Sequence, residues 1–204
     1  MVRMPMPPPA GRADLHNHTT ASDGTLSPAE HVKWAASQGL AAVGITDHDT
    51  IAGWAEARAA AEEAGIDLVP GCELSTEVGK TEVHILAYYF DPTEPAMADL
   101  LRRMRGGRRR RAEEAVAKLH QLGYTEVSLE RILARGGESV GRPHIAAELV
   151  ELGVVRTIAE AFERFLARGR PAYVPRPKLE PAEAIAIVKG AGGVPVLAHP
   201  GLIG

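Results

Sequence analysis

The stretch LAAVGITDHD, Leu40–Asp49, joins an apolar run directly to three charged or ionisable residues. Its first part, Leu40–Thr46, is typical of a buried strand, because the run is short and bounded by turn and polar residues. A helix is predicted on either side of it, at Ser27–Gln38 with Ser27 as the N-cap and at Thr50–Ala64. Strands and helices that alternate at this spacing predict βαβ units and a parallel sheet.

The same alternation extends outward and is interrupted once. Apolar runs predict further strands at Asp67–Glu73, Glu82–Phe90 and Val194–His199, whereas the long stretch before the last strand predicts helix upon helix. We therefore expect an α/β core that carries an all-helical insertion. The expected organisation is a disordered, proline-rich leader at 1–12, a first barrel part at 13–95, a helical insertion at 96–170 and a resumed barrel part at 171–204.

Composition limits the class of protein. The chain has 204 residues, a formal net charge of −3 and 45% hydrophobic residues, which suits one globular domain with an insertion. Its single cysteine, Cys72, excludes an internal disulfide and fits a reducing compartment, so we expect a cytoplasmic protein. No apolar run approaches the roughly 18 residues of a membrane span, and no feature predicts an obligate protein partner.

Ionisable side chains recur where the predicted strands end. In a parallel barrel the carboxyl ends of the strands meet at one mouth, so side chains placed there come together. Imidazoles and carboxylates are ligands of divalent metal ions. The sequence therefore predicts a metal site at that mouth. The candidates in or after the strands are Asp47, His48, Glu73, His84 and His199.

The segment ADLHNHTTASDG, Ala13–Gly24, adds the densest group. His16 and His18 are two residues apart, so on a strand they share one face, and two imidazoles are costly to bury unless they are paired or bound to metal. Asp14 would orient one of these rings from behind, and Asp23 would supply an oxygen ligand.

Several residues have a plainer interpretation. Asp47 either supports the metal site or caps the following helix, and these two readings stay open. Asp49 is interpreted as a cap or loop residue, and Cys72 as a core residue. His31 and His120 lie at helical positions without neighbours of ligand spacing, so we expect satisfied core histidines.

The motifs DLHNHTTASDG, GITDHDT, GCELST, EVHILAYYF, GRPHIA and VLAHPG, taken in this order, resemble the PHP family, the polymerase and histidinol phosphatase superfamily. The resemblance covers Ala13 to Gly204 and is nearest to the bacterial nucleotide phosphoesterase branch with a helical insertion. It implies a distorted, TIM-like (β/α)7 barrel with two or three divalent ions, Mn²⁺ first and otherwise Mg²⁺, Zn²⁺ or Fe²⁺. It also implies hydrolysis of phosphate esters of nucleotides, including 3′,5′-bisphosphates, or of short RNA.

The resemblance also implies roles for single residues. It assigns the first ion to His16 and His18, the bridge to Glu73, the second ion to His84 and His199, and the third ion to Asp23 and His48. Arg142 and His144 would bind the substrate phosphate, and His144 or His199 would protonate the leaving oxygen. The alternatives are a helix-start role for Arg142 beside Pro143 and a metal-ligand role for His144.

One departure from the family pattern is visible. The pattern ends in an Asp-x-His pair well after the AHP motif, and the printed sequence ends at Gly204, shortly after His199. We therefore expect a C-terminally incomplete barrel, from a longer protein or a degenerate member. A site that lacks these ligands would bind metal more weakly.

Other functions stay open. A 5′→3′ exoribonuclease or a histidinol-phosphate-type phosphatase would use the same metal site, and a non-catalytic module would bind metal and nucleotide without turnover. Seven arginines lie between Arg102 and Arg111. They form either a solvated helix face or a contact for a polyanion.

Overall fold

The computed structural model describes residues 11–202, so residues 1–10 of the expected leader lie outside the described range. Five strands form one curled sheet, a half-barrel, in sequence order. The strands are β1 (Arg12–Asp14), β2 (Leu40–Ile45), β3 (Asp67–Val78), β4 (Thr81–Tyr88) and β5 (Val194–Leu197). The mixed α/β class is therefore confirmed, and β1 begins at Arg12, inside the segment expected to be a leader.

The sheet is parallel only in part. β1, β2 and β3 pair in parallel, as the alternation predicts. β4 pairs antiparallel with both β3 and β5, so the prediction of a wholly parallel sheet is wrong. The cause is local: Gly79 and Lys80 close a two-residue hairpin, and Gly79 has φ 62°, which glycine adopts at little cost.

Seven α-helices accompany these strands in the described range. They are α1 (Pro28–Ser37), α2 (Trp54–Ala64), α3 (Pro95–Gln121), α4 (Leu129–Gly136), α5 (Arg142–Glu151), α6 (Ile158–Ala161) and α7 (Pro181–Gly190). The predicted cap of α1 is present, because Ser27 accepts from the Glu30 N–H while the Glu30 side chain accepts from the Ser27 N–H. α2 begins later than predicted, because residues 50–53 form a turn in which Thr50 Oγ1 accepts from the Ala52 N–H.

Two hydrophobic cores lie along α3. Its first half packs against the sheet through side chains such as Met97 and Leu100, and its second half packs through Ala115 and Leu119 into a separate helical cluster. Between β4 and α7, the regular elements in the described part of the chain are helices. We call residues 95–166 the helical segment. That it is an insertion into a barrel stays a prediction.

Near its two adjacent glycines, α3 passes from the sheet core into the helical core. Gly107 packs against Pro177 so closely that an added Cβ would lie 2.8 Å from the proline Cγ. The proline-containing stretch before α7 therefore runs directly against the middle of α3.

Within the described residues, no helix is long and apolar enough to cross a membrane.

Candidate metal centre and anion cavity

Glu73 lies at the centre of a cluster of histidines. Its side chain is only 1% exposed, and Oε2 lies 3.0 Å from Nε2 of both His16 and His18. Its other oxygen, Oε1, lies 2.8 Å from His84 Nδ1 and 3.0 Å from His199 Nε2. The two oxygens of one carboxylate thus face two separate pairs of imidazoles.

The strand directions explain how these residues meet. β1, β2, β3 and β5 point the same way, so the segments that follow β1 and β5 reach one end of the sheet, where β3 carries Glu73. β4 runs in the opposite direction, so its beginning lies at that same end and His84 pairs with Ser75 of β3. An antiparallel strand therefore contributes its ligand from its first half.

The prediction that His16 and His18 lie on one face of a strand is wrong. β1 ends at Asp14, so both histidines follow the strand instead of lying in it. Their rings nevertheless lie 5.3 Å apart, and the His16 ring stacks on that of His199 at 5.7 Å. Shared contact with Glu73, and not strand alternation, brings them together.

His48 and Asp23 extend the cluster. His48 Nδ1 lies 3.4 Å from Glu73 Oε2, and His48 Nε2 lies 3.8 Å from Asp23 Oδ2. Asp23 Oδ1 is 3.7 Å from His18 Nδ1. Among the residues that the structure describes, three groups of side chains bring their ligand atoms within 4.8 Å of one another: His16, His18 and Glu73; His18, Asp23 and His48; and His48, Glu73 and His84.

The pKa shifts in the cluster favour the protonation states that bind metal ions. Burial alone would raise the pKa of Glu73, but hydrogen bonds with His16, His18 and His84 outweigh it and hold that pKa far below its usual range. Burial, together with the nearby Arg108 guanidinium, lowers the pKa of His48 to about 3. Glu73 is therefore a carboxylate and His48 a neutral imidazole at neutral pH, which are the forms that coordinate cations.

Two buried nitrogens test whether the cluster fits metal ions. In the described part of the chain, Nδ1 of His48 and Nε2 of His84 have no hydrogen-bond partner. A buried polar atom without a partner is costly, and a metal bond would satisfy each of these lone pairs. The donor set of imidazoles and carboxylates therefore fits divalent ions, but it does not select one of them.

Asp47 contacts residues beside the cluster. It is buried and accepts hydrogen bonds from the Thr19 N–H and Oγ1 at 2.7 Å and from Ser22 Oγ at 2.6 Å. Ser22 Oγ in turn lies 3.5 Å from His18 Nδ1. Of the two open readings of Asp47, the contacts favour support of the site, since α2 begins at Trp54 without a side-chain cap.

Asp14 contacts the backbone of His16 and not an imidazole ring. Its Oδ1 accepts a long hydrogen bond, 3.4 Å, from the His16 N–H. The described contacts thus give Asp14 a role in shaping the turn after β1, and the predicted orientation of an imidazole by Asp14 is not among them.

A cavity of about 120 Å³ opens beside the metal-ligand cluster, with Asp23, His48 and His84 among its lining residues. Its other side carries four guanidiniums, those of Arg108, Arg111, Arg142 and Arg176. A group of cations next to metal ligands is suited to bind an anion with several oxygens, such as a phosphate.

Glu82 organises two of these arginines. Its carboxylate lies 3.1 Å from Arg142 Nη2 and 2.9 Å from Arg176 Nη2. Burial raises the pKa of Glu82, but Arg176 and Arg142 outweigh that effect and lower it. Arg142 therefore lines the cavity with a fixed partner, and its role in binding the substrate phosphate stays a prediction.

His144 is placed differently from its predicted role. Nδ1 accepts from the Gly141 N–H at 2.9 Å, and Nε2 lies 2.7 Å from the Ser22 carbonyl oxygen, to which it donates. Both ring nitrogens are thus engaged with backbone groups, and His144 is not among the residues that line the cavity. The structure gives His144 the contacts of a residue that fixes the start of α5 against the loop at Ser22.

Sequence reasoning missed Asp49 and Arg108. Asp49 lies in a turn, as expected of a loop residue, but it is also fully buried and Arg108 of α3 binds it at 2.7 Å. The helical spacing of Arg108 and Arg111 was the available signal, since residues three apart share a helix face. The arginine run is therefore divided between a solvated face and the cavity.

The remaining histidines and the cysteine have structural surroundings. Cys72 is fully buried in the sheet core, as expected. His120 Nε2 hydrogen-bonds with the Val127 carbonyl oxygen at 2.8 Å. His31 Nε2 is buried and has no hydrogen-bond partner among residues 11–202, so the expectation that it is satisfied is wrong.

The fold and the cluster define a class of protein: an α/β half-barrel with groups of potential metal-binding side chains at one end of its sheet. Residues 14–128 match the family model of the PHP domain. The chain therefore belongs to the PHP domain family, as the motifs predict.

Two similar proteins from other bacteria are consistent with this family assignment. The chain is 41% identical over 187 residues to a 5′-3′ exoribonuclease of Haemophilus influenzae, with 92% of this chain and 68% of the relative covered. It is 38% identical over 189 residues to a 3′,5′-nucleoside bisphosphate phosphatase of Chromobacterium violaceum, with 92% and 66% covered. The chain thus spans about two thirds of the length of these relatives.

Solved structures show the same fold. A protein of Bifidobacterium adolescentis described as a metal-dependent phosphoesterase superposes with a TM-score of 0.87 at 40% identity, covering 96% of this chain and 69% of the other. A structure from Chromobacterium violaceum, described as an amidohydrolase with bound sulfate and no metal, superposes with a TM-score of 0.85 at 38% identity, covering 93% and 67%.

Proposed function

We propose that this chain carries the centre of a metal-dependent phosphoesterase that hydrolyses phosphate esters of nucleotides, of the 3′,5′-bisphosphate type. The observation that carries the proposal is the placement of five imidazoles around Glu73 directly beside a cavity lined by four arginines. The phosphatase of Chromobacterium violaceum and the phosphoesterase of Bifidobacterium adolescentis support it.

The metal ligands in this proposal follow the contacts of Glu73. His16 and His18 would hold one ion, His84 and His199 a second, and Asp23 and His48 a third, with the Glu73 carboxylate available to the first two. We infer two or three divalent ions, Mn²⁺ first, with Mg²⁺, Zn²⁺ or Fe²⁺ as alternatives. Such ions, when bound, polarise phosphate oxygens and activate a water molecule for attack on phosphorus.

The side chains of the chain itself bind and orient the substrate. Arg142 and Arg176 place guanidinium groups in the cavity, where they bind the phosphate and offset its charge. His144 fixes the start of α5 and with it the backbone of Arg142. A nitrogen bound to a cation has no proton to donate, so we assign His199 Nε2 to the metal set and not to protonation of the leaving oxygen.

The test is phosphate release from a 3′,5′-bisphosphate nucleotide with and without Mn²⁺. We expect release that depends on Mn²⁺ and is lost in His16→Ala, whereas the matched variant His120→Ala, far from the cluster in sequence and bound to Val127, keeps it. If the protein binds Mn²⁺ but releases phosphate from no nucleotide, the phosphoesterase proposal fails and a non-catalytic binding module is favoured. The same assay with histidinol phosphate tests that alternative substrate.

A 5′→3′ exoribonuclease is a second candidate, favoured by a further groove. This groove, of about 420 Å³, is lined by Arg102, Arg103, Arg110 and Lys178 among others. Arg176 lines the cavity and Lys178, two residues later, lines the groove, so the two sites share one stretch of chain. A longer RNA backbone would follow such a series of cations.

The salt dependence of RNA binding tests this candidate. Replacing Arg102, Arg103 and Arg110 by Ser should flatten the dependence of log K on log salt, because each lost phosphate contact removes a released counterion. Arg164→Ser, an exposed arginine paired with Glu160, is the matched control. An unchanged slope in the triple variant would assign the arginines to a solvated face.

A further inference from the structure

The helical segment contacts both loops that carry Asp23 and His48. Ser139, in the turn between α4 and α5, donates from Oγ to the carbonyl oxygen of His48. His144, in the first turn of α5, donates from Nε2 to the carbonyl oxygen of Ser22 at 2.7 Å. Ser139 is 1% exposed and His144 is 8% exposed, so water competes little for either contact. Two buried side chains of the helical segment therefore hold the backbone of these loops.

The two carbonyl groups influence where the ligand side chains lie. The Ser22 carbonyl belongs to the planar peptide unit that also contains the Asp23 nitrogen, so a hydrogen bond to its oxygen orients the plane from which Asp23 extends. The second carbonyl belongs to His48 itself. The side chains that extend from these two backbones approach each other, with His48 Nε2 3.8 Å from Asp23 Oδ2. The placement of both ligands therefore depends on contacts with the helical segment.

The ligands at the centre of the cluster are held differently. The Glu73 N–H donates to the Asp47 carbonyl oxygen at 3.2 Å, and the His84 carbonyl oxygen accepts from the Ala198 N–H at 3.0 Å. Both of these contacts lie within the half-barrel. The pair of Asp23 and His48 thus differs from its neighbours, because part of its support comes from another region of the chain.

The ring of His144 is set as a hydrogen-bond donor by its own helix. Nδ1 accepts from the Gly141 N–H at 2.9 Å, so the proton of the ring lies on Nε2. Arg142, which lines the cavity, lies between Ser139 and His144 in the chain. The short stretch 139–144 therefore reaches both ligand loops and the cavity.

We propose that Ser139 and His144 are positioning residues for the ion assigned to Asp23 and His48, so that the affinity for this ion depends on the helical segment. This inference rests on the proposed function, which includes that ion. Ligands that are held in place before binding lose little conformational freedom when a cation binds. Contacts behind the ligands of a metal site typically change its affinity by about ten- to a hundredfold.

The test is calorimetric titration of Mn²⁺ into the metal-free chain. Ser139→Ala removes one donor, and His144→Asn removes the other while its shorter side chain keeps an acceptor for the Gly141 N–H. We expect each variant to weaken the binding of one Mn²⁺ ion about tenfold and to leave the other ions unchanged. Wild-type affinity for every ion in both variants would overturn the proposal.

Two variants of the same residue types in the helical segment are matched controls. Ser128→Ala removes a hydrogen bond from the Arg131 N–H at the start of α4, and His120→Asn removes the contact with the Val127 carbonyl oxygen. Both should lower stability and change no Mn²⁺ affinity. A similar loss of Mn²⁺ affinity in these controls would assign the effect to general destabilisation and overturn the positioning role.

Double variants identify the ion concerned. Asp23→Asn removes a carboxylate ligand and should weaken the binding of the same ion. If Ser139 and His144 act through that site, adding Ser139→Ala or His144→Asn to Asp23→Asn weakens Mn²⁺ binding little further. Full additivity of the losses would overturn the positioning role, and so would wild-type Mn²⁺ affinities in Asp23→Asn.

The inference and the proposed function fail in different ways. A wild type that binds Mn²⁺ but hydrolyses no 3′,5′-bisphosphate nucleotide contradicts the function, while the Mn²⁺ affinities of the variants still decide the roles of Ser139 and His144. Hydrolysis with unchanged Mn²⁺ affinities in both variants contradicts the inference alone.

Discussion

The half-barrel and the helical segment contribute two different kinds of side chain to one site, metal ligands and cations. The half-barrel contributes imidazoles and carboxylates around Glu73, whereas the helical segment contributes guanidiniums such as Arg108 and Arg142. Most of the helical segment packs in its own hydrophobic core, whereas the first half of α3 packs in the sheet core. Polar contacts also join the two regions, among them Ser139 Oγ donating to the His48 carbonyl oxygen. Metal ligands and anion-binding groups thus lie on different regions of the chain, so each set should be separable by substitution.

The largest effect is expected at the centre of the half-barrel. Glu73→Gln removes the charge that faces both pairs of imidazoles, so Mn²⁺ affinity should fall by more than about a hundredfold, beyond the usual cost of losing an outer contact. Titration calorimetry measures this. Glu77→Gln is the matched control in the same strand, since Glu77 pairs with Arg168. Retained Mn²⁺ binding in Glu73→Gln would break the assignment of the metal site.

Paired core substitutions test whether the two regions are separate. Leu74 lies beside Glu73 in the sheet core and Leu149 in the helical core, both fully buried, so Leu→Ala should cost about 2–5 kcal/mol of stability in each. Leu74→Ala should also weaken Mn²⁺ binding, whereas Leu149→Ala should not. Thermal unfolding and calorimetry check this, and equal losses of Mn²⁺ affinity would contradict the separation.

A smaller effect is expected from the anion side. Arg142→Ala leaves the metal ligands in place but removes a guanidinium from the cavity, so KM for a 3′,5′-bisphosphate nucleotide should rise about tenfold with Mn²⁺ affinity unchanged. Steady-state kinetics measure it. A fall in Mn²⁺ affinity instead would show that Arg142 supports the metal site.

The smallest effect concerns stability of the helical segment. Burial raises the pKa of Glu148, but hydrogen bonds from Arg131 and Ser128 outweigh it and lower that pKa. A carboxyl whose pKa is lowered on folding stabilises the folded state above its ordinary pKa, and this stability is lost as pH falls through the folded value.

Glu148→Gln should therefore lower the free energy of unfolding by about 1 kcal/mol at neutral pH. From neutral pH down through the folded-state pKa of Glu148, the wild type should lose more stability than the variant, and the two should converge. Denaturant unfolding measured across this range checks the prediction. Parallel curves would show that Glu148 contributes no pH dependence.

Much of the half-barrel was predictable from the sequence. The apolar run of β2 and the cap at Ser27 act through local contacts, so their strand and helix follow from neighbouring residues. The hairpin between β3 and β4 was missed, although Gly79 is a turn residue, because β3 continues past Glu73 as an almost uninterrupted strand. A strand buried on both faces gives no signal for the direction of the next one.

The sequence by itself determined which residue types the site contains: the histidines, Glu73 and Asp23, in motifs that resemble one family, and the arginines of α3. Only the tertiary structure decided that Asp49 holds Arg108 and that both nitrogens of His144 are engaged with the backbone. The reason is physical. Ligand type and local periodicity are written in short segments, whereas the burial and partners of a side chain depend on elements that lie far apart in the chain and meet only when the two regions pack.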